Sequence, residues 1–316
     1  MVVGAETAWL SQAVRQVKAA GKHPIILSNQ PADEFDKGVS RITEDILGSM
    51  NEIVSLFSAR GHRRIALYAC NPDSASDSYK KETFLQLGRG AENVFYNTGS
   101  LDLCFRRFYE AYKENRYGGI VCANDFAAVS LIRHMNDAGE SIRDTDIISY
   151  SDTLIAKCTF PAISTVSASF RNFGHLAFTI NDCLEKSDGI RGIKILCDWE
   201  IRHRETSSPA TAPAVKKECH TQKAHGSFYS DPELMEMMRV ETLLSECDET
   251  DLAIVDAILK GKTTVEIETS CFIRETAVKY RIKKMKNTRH AKSRSELRAI
   301  LSKYLARDIG KRFSPK

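Results

Sequence analysis

The chain has 316 residues, 42% of them hydrophobic, and a formal net charge of +4, so it is long enough to bury a substantial core. It contains no apolar run of membrane-span length and does not begin with the pattern of a secretory signal peptide. Its 9 cysteines include no Cys-x-x-Cys pair, which disfavours a structural zinc site and is typical of reduced thiols in a cytoplasmic protein.

The first 204 residues alternate apolar, β-rich runs with stretches of helical periodicity. Strands are predicted over residues 24–27, 64–68, 119–122 and 145–150. Helices are predicted over residues 43–60, 100–115, 126–138 and 172–186. Alternation of this kind predicts an α/β fold whose parallel sheets are covered on both faces.

Five short phrases follow one another in this region. They are GHRRIA at 61–66, ANDFAA at 123–128, YSDT at 150–153, PAISTV at 161–166 and WEIRHRET at 199–206. In order and spacing they resemble the effector-binding core of LacI/GalR-type regulators, a two-lobed fold related to periplasmic sugar-binding proteins. The resemblance implies a sensor domain over residues 1–206. Its first lobe would comprise about 1–62 and 165–190, and its second lobe about 63–164 and 191–206.

The same resemblance implies an effector cleft between the lobes, at the carboxyl ends of the strands. The residues expected there are Asn124, Ser151, Asp152 and Phe170. A second interpretation of Asn124 remains open, because it and Asp125 precede the predicted helix and can simply cap it.

Two departures from that family concern the cleft and the first lobe. Ser151 stands where the family has an Asp that chelates sugar hydroxyls, and Ser78 stands where it has an Arg. A sugar effector is therefore in doubt, and a less polar ligand, an anion or no ligand remain open. The family's first two strand–helix units are also missing before Val2, so the first lobe is expected to be N-terminally incomplete. We accordingly expect this 316-residue form to bind small molecules poorly, and an N-terminally extended form to bind them.

Residues 207–232 are rich in Ser, Thr, Ala, Pro, Lys and Gly and predict a flexible linker. An amphipathic helix is predicted next, over 233–245. Its apolar stripe consists of Leu234, Met237, Met238, Val240, Leu243 and Leu244. The stripe is interpreted as ordinary packing, with a dimer helix as the alternative.

The charge is distributed unevenly along the chain. Residues 251–316 hold 17 Lys and Arg against 7 Asp and Glu, whereas residues 1–250 hold 28 against 34. An acidic body with a basic tail indicates a negatively charged partner, with nucleic acid the first candidate.

The basic tail also carries helix signals. Helices are predicted over 251–260, from Thr263 to about Ser270, over 275–286 and over 295–305. Gly261 is expected to end the first, and the pair Thr263 and Glu266 forms a capping box for the second. Two short helices joined by a tight turn, the second basic on its exposed face, are typical of a helix-turn-helix.

Three stretches carry a further resemblance. AILKGKTTVEIE at 257–268, CFIRETAVKYRIKK at 271–284 and SRSEL at 293–297 resemble the LuxR-type DNA-binding domain. The resemblance implies that residues 233–316 form a connecting helix and a small all-α helix-turn-helix domain. Arg274 departs from it, because the family usually has a Ser or Thr helix cap there, worth roughly 1 kcal/mol. A solvated basic helical bundle is the alternative interpretation.

Four residues of the predicted recognition helix lie on one face and can enter a major groove together. They are Thr276, Lys279, Tyr280 and Lys283. A second set of basic residues is expected to hold phosphates. It comprises Lys284, Lys286, Arg289, Lys292 and Arg294.

The sequence thus predicts a transcriptional regulator that binds double-stranded DNA, possesses a small-molecule sensor and acts as a homodimer. Common catalytic motifs, including the Walker loop and Gly-x-Ser-x-Gly, are missing. No enzyme activity, cofactor or metal site is therefore expected. The alternative is a ligand-binding or protein-interaction module whose basic tail docks acidic partners without reading DNA sequence.

Overall fold

The computed structural model describes residues 1–4, 7–27, 38–168, 170–207, 231–289, 291–306 and 309. Within these residues, ten strands form two sheets, and a set of helices follows them toward the carboxyl end. Almost all of the predicted linker, residues 208–230, lies outside the described residues.

The first sheet consists of β1 Val2–Val3, β2 Ile25–Leu27, β3 Ser40–Glu44 and β9 Lys194–Cys197. Its order is β1-β2-β3-β9, and all neighbours are parallel. The helices that contact it are α1 Thr7–Ala19 and α7 Phe170–Lys186. Ile42 of β3 packs with Phe173 and Ile180 of α7 in the core of this lobe.

The second sheet consists of β4 Ile65–Cys70, β5 Val94–Tyr96, β6 Gly119–Cys122, β7 Asp146–Tyr150, β8 Ser164–Ser167 and β10 Glu200–Arg202. Its order is β10-β8-β7-β6-β4-β5, and every neighbouring pair is parallel except β10 with β8. The helices of this part are α2 Ile46–Ala59, α3 Ala75–Gln86, α4 Leu101–Asn115, α5 Asp125–Asp137 and α6 Leu154–Cys158.

Strand β4 shows how this sheet forms a core on both faces. Ile65 and Leu67 pack with α2, whereas Ala66 and Tyr68 pack with α4 and α5. Successive side chains of a strand point to opposite faces, so a strand covered on both sides is apolar throughout. The predicted α/β architecture with parallel sheets is confirmed.

The strand pairings place the lobe boundaries elsewhere than expected. β8 was expected in the first lobe but pairs with β7 in the second sheet, and β9 was expected in the second lobe but pairs with β3 in the first. Helix α2 packs on the second sheet. The reason is that the chain passes between the sheets after β3, β8 and β9, and these crossings depend on strand partners distant in sequence.

Helix α2 also begins later than the predicted 43–60. Residues 40–44 form β3, and Asp45 caps the helix by accepting a hydrogen bond from the Gly48 amide at 2.9 Å. The local sequence, SRITE over residues 40–44, does not by itself favour a strand, and the pairing of β3 with β2 and β9 decides it.

The carboxyl-terminal part, here called the helical unit, comprises α8 Pro232–Glu246, α9 Glu249–Leu259, α10 Thr264–Cys271, α11 Glu275–Arg289 and α12 Arg294–Tyr304. The predicted capping box of Thr263 and Glu266 is present at the start of α10. Gly261 follows α9 with φ +78°, a left-handed conformation that glycine adopts without strain. The predicted helices of this part are confirmed within a few residues at each end.

Helix α8 buries its apolar stripe inside the same chain. Leu234, Met237, Val240, Leu243 and Leu244 are buried, in contact with α5, α6 and α11. Met238, which was assigned to the stripe, is 37% exposed. Intramolecular packing therefore occupies the face that a dimer helix would need.

None of the helices in the described ranges is both long and apolar enough to span a bilayer.

Candidate effector cleft and candidate nucleic-acid interface

Asn124 lies at the carboxyl end of β6 and acts as the cap of α5. Its side-chain oxygen accepts a hydrogen bond from the Ala127 amide at 2.9 Å. The capping role left open by the sequence is therefore realised. The hydrogen bond stabilises α5. The side-chain oxygen of Asn124, which faces the candidate cleft, therefore already has a donor within the protein.

Asp125 is a buried acceptor that joins three strands. Thr153 donates to it through both its amide and its hydroxyl, each at 2.7 Å, and the Thr165 hydroxyl donates at 2.9 Å. The Ser149 hydroxyl is a further donor. Burial raises the pKa of the Asp125 carboxyl, and these hydrogen bonds oppose that shift. Asp125 thereby ties Asn124 to the turn after β7, residues 151–153, here called the cleft turn.

The cleft turn has an unusual backbone. Ser151 and Asp152 have φ of +117° and +53°, a region that costs non-glycine residues about 1–3 kcal/mol. The Ser151 amide donates to the Val166 carbonyl at 3.1 Å, and the Asp152 amide donates to the Thr165 hydroxyl at 3.3 Å. Such strain persists only where the surroundings hold it, and here β8 does so.

The carboxylate of Asp152 is neutralised within the lobe. It pairs with Arg204, lies 3.1 Å from Arg202 Nη1 and accepts from the Ser167 hydroxyl at 3.2 Å. Both arginines come from β10 or the residues after it. The carboxylate of Asp152 thus holds β10 and the residues after it in place. No local sequence pattern indicates this role.

Lys80 is a buried cation at the same end of the sheet. Its Nζ donates to Asp77 Oδ1 and to the Ala123 carbonyl, both at 2.8 Å, and lies 4.9 Å from the centre of the Tyr150 ring. Burial alone would lower its pKa, but the neighbouring Asp77 carboxylate outweighs burial and raises it. Lys80 was not among the residues predicted to line the cleft. Its i,i+3 spacing from Asp77 on a helix that follows a strand was the available signal.

Phe170 opens α7, and its side chain lies outside the described residues. The structure therefore brings together Asn124, Ser151 and Asp152, through Asp125, at the carboxyl ends of β6 and β7.

The exposed face of α11 carries the four residues predicted to enter a major groove. Thr276, Lys279, Tyr280 and Lys283 are all exposed, and Tyr280 is 71% exposed. Lys279 pairs with Glu275 at 2.8 Å on the same helix. The opposite face is buried through Val278, Ile282 and Met285. Helix α11 thus has a basic exposed face and an apolar buried face.

The residues expected to hold phosphates fall into different environments. Lys284 and Lys292 are exposed, and Lys286 is half-buried. The side chain of Arg289 lies outside the described residues. Arg294 donates to the Thr264 hydroxyl at 3.2 Å and to the Lys262 carbonyl, so it joins α12 to the start of α10. Burial, with the charge of Arg298, lowers its pKa.

Two contacts fix α11 at its beginning and middle. The Glu275 amide donates to Glu268 Oε1 at 3.2 Å, which supplies an acceptor at the position where Arg274 offers none. Arg281 lies 2.8 Å from both Asp248 and Asp251 at the start of α9. In the described part of the chain, no three His, Cys, Asp or Glu side chains are grouped as a metal site.

Residues 54–206 match a family model described as a periplasmic binding protein-like domain. The chain carries a periplasmic-binding-protein-like domain. The match contains every strand of the second sheet, together with α7 and β9. The α/β, two-sheet architecture is that of the effector domains of LacI-family regulators.

A curated relative of this domain is the HTH-type transcriptional regulator GalR of Lacticaseibacillus casei. It is 26% identical over 181 residues, which is 52% of this chain and 53% of the relative. The chain thus spans about half the length of the curated relative it matches.

Solved structures share the periplasmic-binding-protein-like fold. A complex of the transcriptional regulator CelR with cellobiose has a TM-score of 0.52 and 18% identity, covering 61% of each chain. A LacI-family regulator from Enterococcus faecium with bound ribose has a TM-score of 0.52 and 18% identity, covering 66% of this chain and 79% of its own. The regulator CcpA from Weissella paramesenteroides with bound sucrose has a TM-score of 0.51 and 20% identity, with coverage of 65% and 76%.

Proposed function

We propose that the protein is a DNA-binding transcriptional regulator in which the periplasmic-binding-protein-like sensor controls a helix-turn-helix formed by α10, residues 272–274 and α11. The observation that carries this proposal is the exposed face of α11. Lys279, Tyr280 and Lys283 project together from a helix whose other side is packed on α8, α9 and α10. A basic helix presented in this way fits a major groove about 12 Å wide.

The sensor supports the regulatory half of the proposal. The curated relative and the solved structures are named as transcriptional regulators. Several of the solved structures hold sugars. In this chain we propose a small-molecule effector that meets Asn124, Ser151, Asp152 and Phe170.

The charged groups at the candidate cleft limit which kinds of effector can bind there. Asn124 caps α5, Asp152 is paired with arginines, and Lys80 is paired with Asp77. A ligand that needs a free charged clamp for its hydroxyls would have to break these contacts, at a cost of several kcal/mol. We therefore propose an effector that makes few charged contacts with the second lobe.

The second candidate is a module whose basic helices dock an acidic partner without reading sequence. The uneven charge of the chain, with its basic residues concentrated after residue 250, favours it. A protein with this function would bind any polyanion with similar affinity, whereas a regulator would prefer particular DNA fragments.

A gel-shift experiment with genomic fragments, in the presence and absence of excess nonspecific DNA, tests the proposal. We expect a subset of fragments to remain shifted in excess competitor, in complexes that contain two copies of the chain. We propose that the regulator acts in the cytoplasm. Loss of every shifted band on addition of competitor would support the docking module instead.

A further inference from the structure

Helix α8 packs against two parts of the molecule at once. Its buried residues contact α5 and α6 of the second lobe on one side and α11 of the helical unit on the other. Met237 and Val240 are fully buried between them. The apolar cluster that contains them runs without interruption from the second sheet to α12. The second lobe and the helical unit therefore share one core, although residues 208–230 separate them in sequence.

Polar contacts fix the beginning of α8 to the sensor. Glu233 accepts from Arg133 Nε at 3.0 Å and from the Ser130 hydroxyl at 3.1 Å. Asp231 accepts from the Leu101 amide at the start of α4 while it caps α8 itself. These side chains are buried or half-buried, so their hydrogen bonds are shielded from water and specify one docking position.

Glu241 connects α8 to the candidate cleft. Its carboxylate accepts from the Leu154 amide at 3.0 Å and from the Ile155 amide at 2.7 Å. These are the first two amides of α6, which directly follows the cleft turn. Thr153, at the cap position of α6, makes no capping bond and donates to Asp125 instead. Glu241 thus supplies from α8 the cap that α6 lacks locally.

The far end of α6 is held by the same helical unit. The Ala306 amide, just after α12, donates to the Cys158 carbonyl at 2.6 Å. Cys158 is the last residue of α6. Tyr304 and Lys303 of α12 bond Glu236 of α8. Both ends of α6 therefore terminate on the helical unit, one on Glu241 and one on Ala306.

We propose that α6 and α8 form a coupling joint, in which Glu241 links the cleft turn to the recognition helix and makes the second lobe and the helical unit move as one body. The regulatory output of the joint rests on the proposed function, whereas the joint itself does not. A change at residues 151–153 displaces the first amides of α6, and Glu241 transmits the displacement to α8, which packs on α11. The physical basis of such coupling is an element with two arrangements whose equilibrium both sites bias.

Cleavage between the two parts tests the shared core without DNA. A protease site is inserted between residues 208 and 230 of the full chain, and the cleaved protein is analysed by size-exclusion chromatography. We expect the two fragments to elute together at micromolar concentration. Fragments that elute separately would overturn the shared core.

Glu241→Gln tests the link itself, with Glu246→Gln as the matched control, because Glu246 is an exposed residue of the same helix. Neutralising Glu241 weakens two charge-assisted bonds, so we expect fragment association to fall by about tenfold or more. We also expect the amides of Leu154 and Ile155 to exchange with solvent about tenfold faster, with no change in Glu246→Gln. Equal behaviour of the two variants in both measurements would contradict the role of Glu241.

A double-mutant cycle on DNA affinity tests the output. Asp152→Asn in the cleft turn is expected to change DNA affinity, and Glu241→Gln is expected to reduce that change at least about threefold. Additive effects would contradict coupling through Glu241. If the fragments stay associated and the exchange rates respond but no sequence-preferring DNA complex forms, the joint stands and the proposed regulator function fails.

Discussion

Buried ion pairs lie at both ends of the strands of the second sheet. Lys80 and Asp77 form a buried pair at the carboxyl ends of the strands, and Asp146 is the centre of a cluster at their amino ends. There Arg60 donates to Asp146, and His62 Nε2 lies 2.6 Å from its second oxygen. Paired buried charges contribute little net stability, but removing one partner is expensive. The consequence of a substitution therefore depends on which charge is left alone.

Asp146→Asn should lower the free energy of unfolding by about 1–3 kcal/mol at neutral pH. Burial raises the pKa of Asp146, but the hydrogen bonds from His62 and Arg60 outweigh it and lower the pKa below 3.8. The ionised form is thus favoured in the folded state, so its stabilisation is present above about pH 4 and lost as the pH falls further. Denaturant titrations at several pH values measure this. The exposed Asp144→Asn is the control, and a difference that persists unchanged at pH 3 would contradict the assignment.

At the scale of helices and strands, the local signals were readable from the sequence and the distant ones were not. Gly261 and the capping box at Thr263 act within one turn, so the helices around them were predicted. Short strands such as β3 and β5 were not predicted, because such strands are defined by their partners.

The candidate cleft shows the same limit. The capping role of Asn124 was foreseen as an alternative, since it depends on a residue only three positions away. The neutralisation of Asp152 by Arg204 and the cap that Glu241 gives α6 were not foreseen. They join residues 52 and 87 positions apart. No local pattern records such pairs.

Met237→Ala tests the packing of α8. Met237 is fully buried between the sensor and α11, and a Met→Ala change in a core costs about 2–5 kcal/mol. Met238→Ala on the same helix is the matched control, because Met238 is 37% exposed and should cost about 0.5 kcal/mol or less. Equal costs in chemical denaturation would show that α8 is not packed as described.

The exposed face of α11 and the basic segment that follows it predict two kinds of DNA-binding defect. Lys279→Ala and Tyr280→Ala should reduce discrimination between sites, by about 1–3 kcal/mol for each base that the helix can no longer read. Lys292→Ala should weaken all sites alike and lower the salt slope by about 1. Fluorescence anisotropy on matched and mismatched duplexes measures both, with the exposed Lys22→Ala of the first lobe as control. Intact specificity in the first pair would show that α11 is not the reading helix.

At the scale of the whole molecule, the basic face of α11 remains open while α8 is docked. Tyr280 is 71% exposed, although α8 packs on the other side of the same helix. Docking on the second lobe therefore does not mask the surface proposed for DNA. Under the proposed function, an effector would act through the orientation of that surface, and a single orientation would matter most if two copies must match two half-sites.

A homodimer on DNA is expected for the same reason, because one reading helix contacts too few base pairs for useful specificity. The two half-sites should be related by a two-fold axis. Sedimentation of the protein with a full binding site should show two chains per duplex. A single chain per duplex at every concentration would rule the dimer out.

The most direct test of sequence-specific DNA binding by this chain is a ratio of two dissociation constants. The first is measured on a fragment retained in excess competitor, and the second on a scrambled duplex of the same length and composition, both at about 150 mM salt. We expect the retained fragment to bind at least about 10³-fold more tightly. A ratio close to one, with heparin competing equally against both duplexes, would contradict the proposed function.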